Sequence, residues 1–390
     1  MPWRNSSIMD QRLLFIADYR RQVFSLAELC QRFQISRPTA YKWITRYEAD
    51  GPSGLRDRER RPHRSPDATP AHVVEALLEA RRRHPTWGAK KLLAILHRRS
   101  PRWPWPARST ACELLKRHGL VRQRRRSVRR GHPGRPDTHM DTPNATWTAD
   151  FKGQFKTRDG QYCYPLTVAD GYSRYLLACQ GLEGTTHDGS RRVFRRLFHE
   201  YGLPERIRTD NGIPFASNAL RRLSRLSVWW IRLGITPELI EPASPYQNGR
   251  HARMHKTLKA ETTRPPCASR AAQQRRFAQF QHEFNHDRPH EALHQQPPAN
   301  FYTPSPRPLP DRLPPIEYPA HCEVRRVSRN GGIRWHAHWV NVSHVLAEQL
   351  VAFEEIDTGV WTVYFGTYDL GRFHERTHSI KDGLGRHKRR

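Results

Sequence analysis

The sequence predicts a multidomain chain: all-α at its start, an α/β layer with mixed strand directions in its middle, and a small β-barrel at its end. Three observations predict it. The chain has 390 residues, too many for one ordinary domain. Its first third carries apolar stripes at helical spacing, whereas from Asn144 the texture turns to short runs of Thr, Tyr, Val, Leu and Ile. A proline-rich link, "YTPSPRPLPDRLPPIEYP", then separates that region from a last set of short strands.

The helical elements come first. In "SLAELCQRF" the residues Leu26, Ala27, Leu29, Cys30 and Phe33 form one apolar stripe, and the turn "QIS" follows. "SRPTAYKWITRYEADG" opens with Ser36 as N-cap and Pro38 in the first turn. Trp43, Ile44 and Tyr47 make its apolar side, while Arg37, Thr39, Lys42 and Arg46 point outward. Two short helices, a three-residue turn and a basic second helix read as a helix-turn-helix over residues 1–60, its second helix suited to the major groove of DNA. An ordinary helical hairpin is the plainer alternative; the basic surroundings favour DNA. The stretch "GPSGLRDRERRPHRSP" is a linker. A second helix-turn-helix-like module, 61–120, contains "AHVVEALLEARRRHP", a helix in "TWGAKKLLAILHRR" after Thr86, and "STACELLKRHGL" from Ser109 to Gly119.

Residues 121–142 form a basic linker. Seven arginines and no acid lie between Arg122 and Arg135, so this run cannot build a core. Arg124, Arg125 and Arg126 suit a DNA-contacting arm. Beyond it, "ATWTADFKG", "YCYPLTVADGYSRYLLACQGL", "ERIRTDNG" and "ITPELI" read as strands. "HDGSRRVFRRLFHEYG" and "SNALRRLSRLSVWWIRLG" read as helices between them, with long helices on to about Pro289. The barrel, 303–390, starts at the proline-rich link and holds a hairpin turning at Asn330-Gly331.

Charge narrows the partners. Lys and Arg number 67 against 37 Asp and Glu, a formal net charge of +30. Such an excess repels itself unless a polyanion accompanies it. A membrane surface is the weaker candidate, since there is neither a long apolar run nor a signal-peptide pattern. Residues 1–142 carry 31 basic and 13 acidic residues, net +18, against +9 for 143–300 and +3 for 301–390. The polyanion is expected to dock mainly on the first third. Six cysteines lie far apart without a C-x-x-C pair, as reduced thiols would.

Two aspartates carry the chemistry. Asp150 ends the first strand, in "WTADFKG", and Asp210 follows a later strand, in "IRTDNGIPF". Carboxylates at neighbouring strand ends want a hard cation, Mg²⁺ or Mn²⁺, and a pair of such ions activates a water or hydroxyl in phosphoryl transfer. Asp170, in "VADGYSRY", is a third candidate that more simply organises a turn. The stretch "HARMH" raises a separate question. His251 and His255 share a helix face as a zinc peptidase pair does, but the glutamate that should follow the first histidine is Ala252. Packing or phosphate contact is preferred for His255 over a zinc site, which also lacks a third ligand at the right spacing.

Taken together, "W-x-x-D-F", "T-D-N-G-x-x-F", "P-x-Q-N-G-R-H-x-R-M-H-K-T-L-K-A-E" and "N-x-x-R-P-H-E-A-L" resemble the integrase catalytic core of bacterial insertion-sequence transposases of the Asp-Asp-Glu type. The resemblance covers residues 143–302 and implies a ribonuclease-H-like core. It implies an enzyme that binds the terminal inverted repeats of a mobile element as a dimer or higher oligomer. It implies hydrolysis of a phosphodiester and attack of the freed 3′-hydroxyl on target DNA, with two Mg²⁺ or Mn²⁺ ions and no covalent enzyme–DNA intermediate. The compartment it implies is the bacterial cytoplasm, at the nucleoid. Asp150 and Asp210 match the first two metal-binding acids, and the third acid belongs at Ala252. Glu261, nine residues on, falls on the opposite helix face at about 100° per residue, and Glu241 lies outside the helix. This chain is therefore expected to be catalytically impaired, with Arg250, Arg253, Lys256 and Lys259 keeping the helix DNA-facing. A DNA-binding regulator that has left chemistry behind is the alternative.

Overall fold

Helix starts follow their caps. The computed structural model describes residues 7–59, 68–121, 140–241 and 249–382, in two compact units, Met1–Ala68 and Thr69–Arg390. The first unit holds α1 (Ile8–Arg21), α2 (Leu26–Arg32) and α3 (Arg37–Asp50). Ser7 and Ser25 close capping boxes with Asp10 and Glu28. Between α2 and α3 the chain turns through Gln34 at φ 52°, and the Ile35 N–H donates to the Cys30 carbonyl at 2.9 Å. Ser36 caps α3 by position and Pro38 lies in its first turn. Phe15, Ile16, Leu29, Cys30, Ala40, Trp43, Ile44 and Leu55 form one core, which holds the helix-turn-helix together.

In the second unit α4 (Ala71–Arg83), α5 (Ala89–Arg99) and α6 (Arg108–Arg117) come first. They pack around Leu77, Trp87, Leu92, Leu96, Ala111 and Leu115. Helix α5 starts at Ala89 and not directly after Thr86: Gly88 is its N-cap, and the Thr86 hydroxyl donates to Glu261. Helix α6 is followed by Gly119 at φ +67°, the expected stop.

The central elements are β1 (Thr146–Phe151), β2 (Phe155–Lys156), β3 (Tyr162–Asp170), β4 (Leu176–Leu182), α7 (His187–Tyr201), β5 (Arg206–Thr209), α8 (Arg225–Arg232), β6 (Thr236–Leu239), α9 (Gly249–Thr262) and α10 (Arg270–His282). Strands run in the order β3–β1–β5–β6, with β2 and β4 also pairing with β3. β1 is antiparallel to β3 and parallel to β5, and β5 is parallel to β6, so the strand directions are mixed as expected. One sheet face packs on α7 and α8 through Trp147, Ala149, Leu166, Val168, Phe194, Phe198 and Trp230. The other packs on α9 and α10 through Cys163, Cys179, Met254, Leu258, Phe277 and Phe280. The result is an α/β/α sandwich, a ribonuclease-H-like core.

One expected helix is shorter than its sequence suggests. Across "SNALRRLSRLSVWWIRLG", Arg221 and Arg222 take left-handed φ values of 53° and 58°, and α8 starts only after Ser224, which forms a capping box with Ser227. The bend lets Leu220 and Leu223 join the core of the C-terminal region, and it is pinned by the Arg221 N–H donating to Asp382 at 3.0 Å.

That region contains β7 (Glu323–Arg326), β8 (Gly332–Trp335), β9 (His338–Asn341), β10 (Leu350–Asp357), β11 (Val360–Phe365), β12 (Tyr368–His374) and β13 (Ser379–Lys381). Where a closed barrel was expected, the described strands form an open antiparallel sheet, β13–β12–β11–β10–β7, and a separate hairpin, β8–β9. Both share a core of Val327, Ile333, Trp335, Val340, Val351, Phe353, Val363 and Phe373. The turn expected at Asn330-Gly331 exists, with the Gly331 N–H donating to Ser328 at 2.9 Å. A side chain on Gly331 (φ +82°) would meet the His344 backbone. Its flanking strands part, however: β7 pairs with β10, and the paired hairpin turns two residues tighter round, at His336-Ala337. All six cysteines are free. Among the described residues no helix is long and apolar enough to cross a membrane.

Candidate active site

Strand register brings the two aspartates together. Ala149 of β1 is level with Thr209 of β5 in the parallel ladder, so the next residues, Asp150 and Asp210, stand abreast about 4.8 Å apart in the hydrogen-bonding direction. Period-2 alternation then assigns the faces: Trp147 and Ala149 enter the core under α7 and α8, while Thr148 and Asp150 face α9. Burial, and then the Asp210 carboxylate beside it, push the Asp150 carboxyl up to about 7. Burial also raises Asp210, partly offset by a hydrogen bond from the Gly212 N–H. Two crowded carboxylates fit a divalent cation, which offsets their repulsion.

The same shift has a stability consequence. Asp150 holds its proton more tightly folded than unfolded, so its contribution to metal-free stability is full below about pH 4 and is lost as pH rises through about 7. Asp150→Asn is expected to raise the metal-free unfolding free energy by roughly 2–4 kcal/mol more at pH 8 than at pH 4. Denaturant titrations at the two pH values check this, and an equal effect at both would refute the raised Asp150 carboxyl.

Helix α9 covers this corner. Its buried residues are His251, Met254, His255, Leu258 and Thr262, the face toward the sheet. Gly249, Arg250, Ala252, Arg253, Lys256 and Lys259 are exposed. Ala252, where the third acid was expected, thus sits on the open side of the helix beside the carboxylates' cover and presents only a methyl group. The histidines do not share its exposure. His251 Nδ1 lies 2.9 Å from the Thr148 hydroxyl and its Nε2 lies 2.6 Å from that of Thr167. His255 Nε2 meets the same Thr167 hydroxyl at 2.6 Å, and its Nδ1 stands 3.6 Å from Asp150 Oδ2. Burial holds both rings neutral, lowering His251 to about 3 and His255 to about 2, the latter helped by His251 and Lys152. Asp150, His251 and His255 form the one His/Cys/Asp/Glu cluster among the described residues with metal-holding geometry. Thr148 and Thr167 were not singled out from sequence. Their signal was available: polar residues at Asp150-facing positions of strands otherwise filled by core residues.

Other sequence candidates are placed as follows. Glu261 is held by Arg288, whose Nη1 donates to both its oxygens at 2.9 and 3.1 Å, so it is engaged away from Asp150. Asp170 accepts from the Asn144 N–H at 2.8 Å and from the Ser173 N–H and hydroxyl at 2.7 and 2.6 Å, and so fixes its turn. Asn285, from the last motif, clamps β4 by accepting from the Leu176 N–H and donating to the Leu176 carbonyl. On α3, Arg37 and Lys42 are exposed and Thr39 and Arg46 half-buried. Lys42 and Arg46 lean over the Trp43 ring at 4.7 and 5.1 Å, and Thr39 bonds Ser36 at 2.9 Å. Of the four basic residues on α9, Arg250 is anchored to the Gly171 carbonyl at 3.0 Å. Arg124, Arg125 and Arg126 lie outside the described residues.

A helix-turn-helix unit in one part of the chain and a carboxylate pair on a ribonuclease-H-like sheet in the other define an integrase core preceded by helix-turn-helix modules. Known families agree: integrase core domains match residues 141–245 and 233–298, a helix-turn-helix domain matches 11–63, and a homeodomain-like domain matches 39–132. These matches support a transposase of the Asp-Asp-Glu type. It is 27% identical over 241 residues to the insertion element IS476 uncharacterized 39.2 kDa protein of Xanthomonas euvesicatoria, covering 61% of this chain and 67% of that one. It is 25% identical over 245 residues to the insertion element IS407 uncharacterized 31.7 kDa protein of Burkholderia multivorans, covering 62% and 83%. The Gag-Pol polyprotein of baboon endogenous virus is 29% identical over 132 residues, 34% of this chain, and the chain spans only 7% of that polyprotein. Among solved structures, it is similar to a simian T-cell lymphotropic virus intasome chain at 16% identity and a TM-score of 0.36, covering 75% of this chain and 97% of that one. It is similar to the magnesium-bound HTLV-2 integrase catalytic core domain at 14% identity and a TM-score of 0.34, covering 42% and 98%.

Proposed function

We propose that this chain is a transposase that binds the terminal inverted repeats of an insertion sequence and is built for metal-dependent cleavage and strand transfer of DNA. Ala252 leaves it catalytically impaired. The observation that carries the reading is the register pairing of Ala149 with Thr209, which sets Asp150 beside Asp210 under a helix whose third-acid position is alanine. Asp150 and Asp210 would hold the metal, Mg²⁺ or Mn²⁺, with two ions in the active form. Such ions supply charge that activates a nucleophilic oxygen and steadies the leaving one. The chain's own residues supply the rest. Asp150 and Asp210 would hold the ion, α9 packs its His251 and His255 face on the corner, and Ala252 stands on the exposed face of the helix.

DNA contact is assigned to Arg37, Thr39, Lys42 and Arg46 of α3, to Arg124, Arg125 and Arg126 of the linker, and to Arg250, Arg253, Lys256 and Lys259 of α9. The charge excess supports this, as does the exposed placement of most of the α3 and α9 residues. With about eight phosphates neutralised, log affinity is expected to fall with log salt at a slope near −7, and a nearly flat response in binding titrations would remove the electrostatic part of the reading. Paired element ends call for a homodimer or higher oligomer on DNA, acting in the bacterial cytoplasm at the nucleoid. Strand-transfer assays on element-end DNA, comparing this chain with Ala252→Glu, test the whole proposal. A glutamate variant that binds DNA but never nicks it would favour the non-catalytic regulator instead.

A further inference from the structure

The histidines that sequence reading set aside bear on which ion the corner selects. Hydrogen bonds around Thr167 position both rings: its hydroxyl lies 2.6 Å from each Nε2 and donates to the Asp150 carbonyl at 3.0 Å. His251 Nδ1 is engaged as well, with the Thr148 hydroxyl at 2.9 Å. His255 Nδ1 faces Asp150 Oδ2 at 3.6 Å, beyond hydrogen-bond distance. His255 is 4% exposed. When Nε2 carries the proton of the neutral ring, the Nδ1 lone pair faces the carboxylate in a buried corner, an arrangement that a cation between them relieves.

The spacing suits such an ion. Nitrogen and oxygen ligands of a four-coordinate transition ion each lie about 2.0–2.2 Å from it, and two such bonds opening at a near-tetrahedral angle span close to the 3.6 Å observed. We propose that Asp150 Oδ2 and His255 Nδ1 together bind one divalent ion, so that this chain, lacking the acid at position 252, selects an imidazole-binding ion such as Zn²⁺ over Mg²⁺. The inference rests on the reading of Asp150 as a metal-binding carboxylate. It assigns His255 a ligand role and His251 only the role of setting, through Thr167, the orientation of its neighbour.

The test is pulsed electron paramagnetic resonance of Mn²⁺ bound to the full chain. A ¹⁴N coupling from directly bound imidazole is expected in the wild type and is expected to vanish in His255→Gln. Zn²⁺ should displace the Mn²⁺ at concentrations at least about tenfold below those Mg²⁺ requires. Mn²⁺ bound without nitrogen coupling, or with coupling that survives in His255→Gln, overturns the role of His255 and leaves the carboxylate site standing. No bound Mn²⁺, or binding unchanged in Asp150→Asn, overturns the reading of Asp150 itself. The wild-type spectrum decides even where His255→Gln does not fold, because both nitrogens of His251 are already engaged.

Discussion

Ala252→Glu is expected to raise Mg²⁺-dependent strand transfer on element-end DNA by about a hundredfold or more, as restoring roughly 3 kcal/mol of transition-state stabilisation would. Position 252 is exposed on α9 while the helix is anchored by His251, Met254, His255 and Leu258. A larger side chain there meets no core, and the change should leave stability within about 0.5 kcal/mol. It supplies the oxygen that the present residue lacks, on the helix whose His255 stands 3.6 Å from Asp150. DNA affinity should stay the same within a few-fold, so a rate gain without an affinity gain is the signature of a restored metal ligand. The prediction fails if the chain as it stands already transfers strands at the rate of the glutamate variant.

Arg288→Ala should cost about 3–5 kcal/mol of unfolding free energy, the range for breaking a buried ion pair from one side. The Arg288 side chain is 8% exposed and that of its partner Glu261 is 18% exposed. The guanidinium also lies over the Trp87 ring at 5.6 Å, so the pair joins the helical module of α4–α6 to α9. Around it His84 pairs with Glu283 at 3.0 Å and Lys90 with Glu291 at 2.6 Å. Removing both charges together, in Arg288→Met with Glu261→Leu, should recover most of the loss, since the cost lies chiefly in the orphaned carboxylate. A second readout is taken on the folded variant. Burial and then the Arg288 charge hold Lys91 down to about 8, so in Arg288→Ala its titration should move upward. Equal stability of the wild type and Arg288→Ala in denaturant titrations would show that this contact binds nothing together.

The elements that sequence reading placed correctly are those with local causes. The stripe of α2, the cap and proline of α3, the glycine stop after α6 and the alternation of β1 all act within a few residues of themselves. The misplaced elements have distant causes. Helix α8 starts late because Leu220 and Leu223 are claimed by the C-terminal core. The hairpin at Asn330-Gly331 opens because β10, some twenty residues on, is the partner β7 takes.

The candidate site divides the same way. By itself the sequence determined that the chain is strongly basic, that Asp150 and Asp210 sit at strand ends, and that an alanine stands where its motif calls for an acid. Residue identity and short-range pattern carry that information. Only the tertiary structure decided that Asp150 and Asp210 stand abreast, that Glu261 is committed to Arg288, and that His255 Nδ1 faces Asp150. These depend on inter-strand register and on contacts between segments far apart in the chain, and neither is written in the spacing of residues along one segment.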